Sequence, residues 1–181
     1  GRYDEALRAF GAANERAARG SRRTRIDRGA FPREVAGIGD WLARGAPGIA
    51  DGEGGAGLCF MIGFPRCGTT LLDTILNAAE DTATLDEQPT FERARPALEP
   101  NGPYWALSEP VDGYAAAAFR ARYRQAVEQG LQGRRAGLVV DKLPLRVIHA
   151  PLLAQAFPAA RFVFSLRHPA DVVLSNFMQH Y

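Results

Sequence analysis

At 181 residues, with 46% hydrophobic and 23% charged side chains, the chain holds one medium domain with its own core and is too short for two full ones. Net charge is +2, and with no stretch near the roughly 18 apolar residues of a membrane helix, no membrane span is expected. Cys59 and Cys67 match neither a disulfide framework nor a metal-ligand spacing. The opening Gly1-Arg2-Tyr3-Asp4-Glu5 also lacks the layout of a secretory signal, so a reducing cytoplasm is the expected compartment.

Gly1, Tyr3, Ala6, Phe10 and Ala13 fall along one stripe of an amphipathic helix. The segment resembles the second helix of a tetratricopeptide repeat and reads equally well as a plain amphipathic helix. A repeat helix needs neighbours to bury its stripe, so the chain is expected to be cut from a longer protein, with protein contacts through the repeat region. Arg22, Arg23, Arg25 and Arg28 form a basic run whose default reading is a solvated connector; nucleic acid is not an expected partner. A helix follows over 32–42. Six glycines among the thirteen residues 45–57 then mark a boundary between a helical segment, 1–48, and an α/β domain, 58–181.

From Leu58 the pattern changes. Leu58-Cys59-Phe60-Met61-Ile62 is a short all-apolar run, as for a strand buried on both faces, and similar runs recur at 138–140 and 162–166, with a weaker one at 83–85. Helices are predicted over 70–79, 114–131, 146–157 and from 169 onward, with Pro151 an alternative start for the third. Strands alternating with helices imply a parallel sheet flanked by helices.

Gly63-Phe64-Pro65-Arg66-Cys67-Gly68-Thr69-Thr70 leaves a buried strand and enters a helix with the glycine spacing of a phosphate loop, in which backbone N–H groups and a helix start cradle phosphate oxygens. The usual lysine after the second glycine is replaced by Thr69, so Arg66 is the nearest source of positive charge. This segment resembles the 5′-phosphosulfate loop of sulfotransferases that use PAPS (3′-phosphoadenosine 5′-phosphosulfate), in particular the branch with tyrosylprotein sulfotransferases and bacterial proteins bearing tetratricopeptide repeats. The resemblance spans 58–181. It implies a P-loop NTPase-like fold, truncated here at its C-terminus, with donor contacts from Arg66, Cys67, Gly68, Thr69 and Thr70. The family usually has serine where Cys67 stands, and a thiol is the weaker hydrogen-bond partner.

Arg167, at a strand end, is followed eight residues later by Ser175. The pair is similar to the family's 3′-phosphate element, and its place at the carboxyl edge of an open α/β sheet is where ligands bind. His168 stands where the family often has aspartate, and it, His149 and His180 receive no role. In-line sulfuryl transfer needs neutralised oxygens and a base for the acceptor hydroxyl. Glu87 in Leu85-Asp86-Glu87-Gln88 resembles the catalytic glutamate of the tyrosylprotein branch, with Asp86 the competing carboxylate. Lys142, the single lysine among 22 basic residues, marks a position that needs a compact ammonium. Its Asp-Lys-Leu-Pro-Leu segment is similar to a family motif whose lysine, with Arg66, stabilises charge on the leaving group. The acceptor is a hydroxyl of a protein, sugar or small molecule, and the family's reaction uses no metal. Two other readings stay open: a nucleotide kinase or NTPase with Asp141 as Mg²⁺ ligand, and a non-catalytic repeat protein with a degenerate domain.

Overall fold

The computed structural model describes residues 1–19, 27–49 and 52–179. Most of the arginine run and His180 lie outside the described residues; Arg28 is exposed. Two helices, α1 (Tyr3–Ala18) and α2 (Ala30–Ala43), precede an α/β unit. That unit runs β1 (Leu58–Gly63), α3 (Thr69–Asn77), β2 (Thr82–Asp86), α4 (Thr90–Ala94), α5 (Gly113–Leu131), β3 (Leu138–Lys142), α6 (Ala150–Ala156), β4 (Arg161–Ser165) and α7 (Pro169–Phe177).

The four strands form one parallel sheet in the order β2-β3-β1-β4. β1 sits inside, and its alternating side chains feed two cores, as the period of two requires. Cys59 and Met61 meet Val140 with Leu72 and Leu76 of α3. Phe60 and Ile62 join Phe119 and Tyr123 of α5, Phe157, and Ile38 and Trp41 of α2. The Phe60 ring stacks on Phe162 at 5.0 Å and meets Tyr123 edge-on at 5.9 Å. α2, which the sequence groups with the N-terminal segment, is thus packed into the sheet's larger core. α1 buries no residue and touches the unit through Asn14, whose Nδ2 donates to the Phe177 carbonyl at 2.9 Å.

Two sequence expectations change. The run at 162–166 is expected to be as buried as β1, yet among the described residues β4 pairs with β1 alone, and Phe162 and Phe164 are 36% and 53% exposed. An apolar run shows that a strand wants cover, and its place in the sheet order decides how much it receives. Of the two starts expected for the helix within 146–157, the one at Pro151 is the closer: α6 begins at Ala150 with Pro151 in its first turn, where a missing N–H costs nothing, and the residues before it form a 3-10 segment, Pro144–His149.

His149 sits in the larger core with its Nδ1 2.9 Å from the Tyr104 hydroxyl and its ring stacked 4.4 Å from Phe91. Burial, then the charges of Arg95 and Arg146, pull its pKa from 6.5 to about 3, so it remains neutral.

Candidate active site

All four strands end at one edge. The chain runs from β1 to β2 on one side of it and later crosses to β4 on the other, so the loops above β1 diverge and leave a crevice, where open α/β sheets hold ligands. A cleft of about 390 Å³ lies there.

Its floor is the β1–α3 loop. Gly68 caps α3 in the left-handed region at φ 95°, a conformation glycine adopts without strain, and Gly63 approaches so closely that a Cβ would lie 2.8 Å from both Cys67 Sγ and the Ser165 carbonyl oxygen. Gly68, Thr69 and Thr70 line the cleft where the first turn of α3 leaves its N–H groups without helical partners. Cys67 does not line it. The residue is buried, and its carbonyl accepts from Ser165 Oγ at 2.9 Å, which fastens the loop to β4.

Arg66 and Arg167 bring the positive charge, and both line the cleft. Arg66 is itself left-handed, at φ 72°. Its Nε donates to Ser175 Oγ at 3.1 Å, its carbonyl accepts from Arg167 Nη1 at 3.3 Å, and Asn176 Nδ2 donates to the Pro65 carbonyl at 3.1 Å. The sequence pairs Ser175 with Arg167. In the structure the buried Ser175 rests against Arg66 beneath the cleft, and α7 braces the loop through both residues. Arg167 stays largely exposed, 3.7 Å from Asp171.

Opposite stands Glu87, also lining the cleft and left-handed at φ 50°. Its N–H donates to the Lys142 carbonyl at 2.8 Å, one step beyond the last β2–β3 pair, Asp86 with Lys142. Lys142 is 2% exposed. Its ammonium bonds Asp86 and lies 3.4 Å from Glu87 Oε1. Burial lowers its pKa and the two carboxylates more than restore it, so the net shift is upward and the charge is held. Lys142 therefore stands one layer behind Glu87, turned toward the acids.

The Leu-Pro-Leu of the motif that carries Lys142 forms a wall of the cleft through Leu143, Pro144 and Leu145, a lining role that sequence reasoning did not assign; it also missed Arg146. Arg146, one of 21 arginines, carried no signal. Asp141, the Mg²⁺ candidate of the kinase reading, is buried and faces away from the cleft. Its Oδ2 accepts from Thr90 Oγ1 at 2.5 Å, from Arg146 Nη1 at 2.6 Å and from the Tyr123 hydroxyl. Asp141 therefore lies among donors inside the protein and does not line the cleft.

The class of protein is therefore a parallel α/β sheet whose carboxyl edge opposes two arginines and a helix start to a carboxylate. The Sulfotransferase family model matches residues 59–181, and the chain belongs to that family. An uncharacterized protein of Aquifex aeolicus (strain VF5) is 30% identical over 129 residues, a stretch that makes up 67% of this chain and 17% of that relative. Among the described residues no helix is long and apolar enough to cross a membrane.

Proposed function

We propose that the cleft binds PAPS and passes its sulfuryl group to a hydroxyl acceptor. The observation that carries this reading is the meeting, across one cleft, of Arg66, Arg167 and the α3 start with Glu87 backed by Lys142. Arginine forks and backbone N–H groups suit the two phosphate positions of the donor. Glu87 takes the acceptor proton as the acceptor oxygen bonds to sulfur, the bond from sulfur to the 5′-phosphate oxygen breaks, and PAP (the desulfated donor) departs. Arg66 and Lys142 offset the charge that grows on the leaving phosphate; Lys142 exchanges part of its contact with Asp86 to do so. Cys67, Gly68, Thr69, Thr70 and Ser175 shape the donor loop. The acceptor is a protein tyrosine, a sugar or a small molecule. The tetratricopeptide-bearing branch, a helical segment at 1–48 whose α2 packs onto the domain at 58–181, protein contacts through α1 and a cytoplasmic setting belong to the same proposal.

The test is label transfer from radiolabelled PAPS to a panel of phenols, sugars and tyrosine peptides. Wild-type protein is expected to label one class, and Glu87→Gln to lose about 10²–10⁴-fold in rate, the usual range for a general base. Folded wild-type protein that labels none, or a Glu87→Gln variant as fast as wild type, would overturn the reading.

A further inference from the structure

Glu87 holds a backbone conformation that a residue with a side chain keeps only when its surroundings impose it. Its own N–H is tied to the Lys142 carbonyl. The next peptide is tied too, since Arg146 Nη2 donates to the Gln88 carbonyl at 2.6 Å. Two residues on, Thr90 Oγ1 donates to Asp141, and Arg146 Nη2 reaches Glu92 Oε2 at 3.0 Å. Arg146 Nη1 closes the set on Asp141 at 2.6 Å.

We propose that Arg146, anchored on Asp141, is a positioning residue that clamps the turn after β2 and so presents Glu87 to the cleft. The proposal rests on Glu87 being the base. Arg146 is buried and lines no part of the cleft, so it acts through the turn and not on substrate. A planar fork meets the carboxylate with one nitrogen and the carbonyl with the other across a width that the single nitrogen of an ammonium does not match. Asp141 is the strand neighbour of Lys142, so β3 carries both the anchor of the clamp and the buried ammonium. Asp141 Oδ1 and Arg146 Nε are buried without hydrogen-bond partners among the described residues. A pair arranged for its own stability would satisfy those atoms; this one is oriented toward the turn.

The test uses Arg146→Lys, which keeps the charge opposite Asp141 and loses the fork. Hydrogen exchange is followed in peptides covering 85–91, with 63–70 as the control, together with PAP affinity and the kinetics of the best acceptor from the panel above. Exchange at 85–91 is expected to quicken about tenfold or more with 63–70 and PAP affinity unchanged. kcat is expected to fall roughly a hundredfold, as for other small misplacements of a reacting group, with the KM for donor held. If Arg146→Lys fails to fold, the double variant Asp141→Asn, Arg146→Met removes both charges, keeps an unbranched side chain in the slot and takes the same readouts. Wild-type exchange at 85–91, or faster exchange with wild-type kcat, would overturn the clamp. Glu87→Gln runs alongside: full turnover there overturns the base assignment, while the exchange result still decides whether Arg146 holds the turn.

Discussion

Replacing Asp141 by alanine strands the Arg146 guanidinium in a site almost closed to solvent. Burial already works against that charge, and Asp141 is the main group that sustains it. Removing one member of a buried ion pair costs about 3–5 kcal/mol, and here the half-exposed Glu92, 3.0 Å away, stays as a partial partner for the guanidinium. Thr90 and Tyr123 lose their acceptor in the same step, which adds to the loss. For a chain of 181 residues, where each kcal/mol moves Tm by roughly 2–4 °C, the midpoint is expected to drop by about 6–20 °C. The double variant Asp141→Ala, Arg146→Met removes both charges and is expected to recover most of the loss, leaving a coupling of about 2–4 kcal/mol in a double-mutant cycle. Urea denaturation of the four proteins measures it. A single Asp141→Ala variant within about 1 kcal/mol of wild type, or single effects that simply add, would refute the buried-pair argument.

Three further outcomes follow. His149 is neutral in the folded protein down to about pH 3, whereas in the unfolded chain it takes a proton below 6.5. Its contribution is therefore complete above pH 6.5 and lost as pH falls from 6.5 toward 3, at about 1.4 kcal/mol per pH unit. His149→Gln should flatten that limb of a stability-versus-pH curve. Lys142 has the opposite sign: its raised pKa gives stability that is whole below about 10.5 and lost as pH climbs through the higher folded value, and Lys142→Met should remove that alkaline limb. Lys142→Arg forces a wider group into a filled slot and is expected to cost about 1–3 kcal/mol by chemical denaturation while abolishing label transfer.

The four strands were legible because buried parallel strands announce themselves as short apolar runs, and the β1–α3 loop because its glycines sit between such a run and a helix. The edge position of β4 was not, since Phe162 and Phe164 look as core-bound as Phe60 until the strand order is known. Glu87 was singled out by its resemblance to the family's catalytic glutamate at a strand end, and Lys142 as a lone lysine among arginines; in the structure Glu87 lines the cleft and Lys142 lies buried behind it. The bond between Lys142 and Asp86 joins residues 56 apart, and the reach of Arg146 to Gln88 joins residues 58 apart. No periodicity encodes such contacts. Ser175 was singled out by its interval from Arg167, yet a helix face also fixes what lies across from it, and there Arg66 arrives from the β1–α3 loop.

The central claim is that the cleft is a PAPS donor site, and calorimetric titration with PAP in the absence of magnesium tests it most directly, with ATP as competitor and Arg167→Ala in parallel. Micromolar-range PAP binding is expected, with weak displacement by ATP and loss of at least tenfold in affinity in Arg167→Ala, an arginine–phosphate contact being a charge-assisted pair. A folded protein that binds no PAP, or binds it equally well without Arg167, would contradict it.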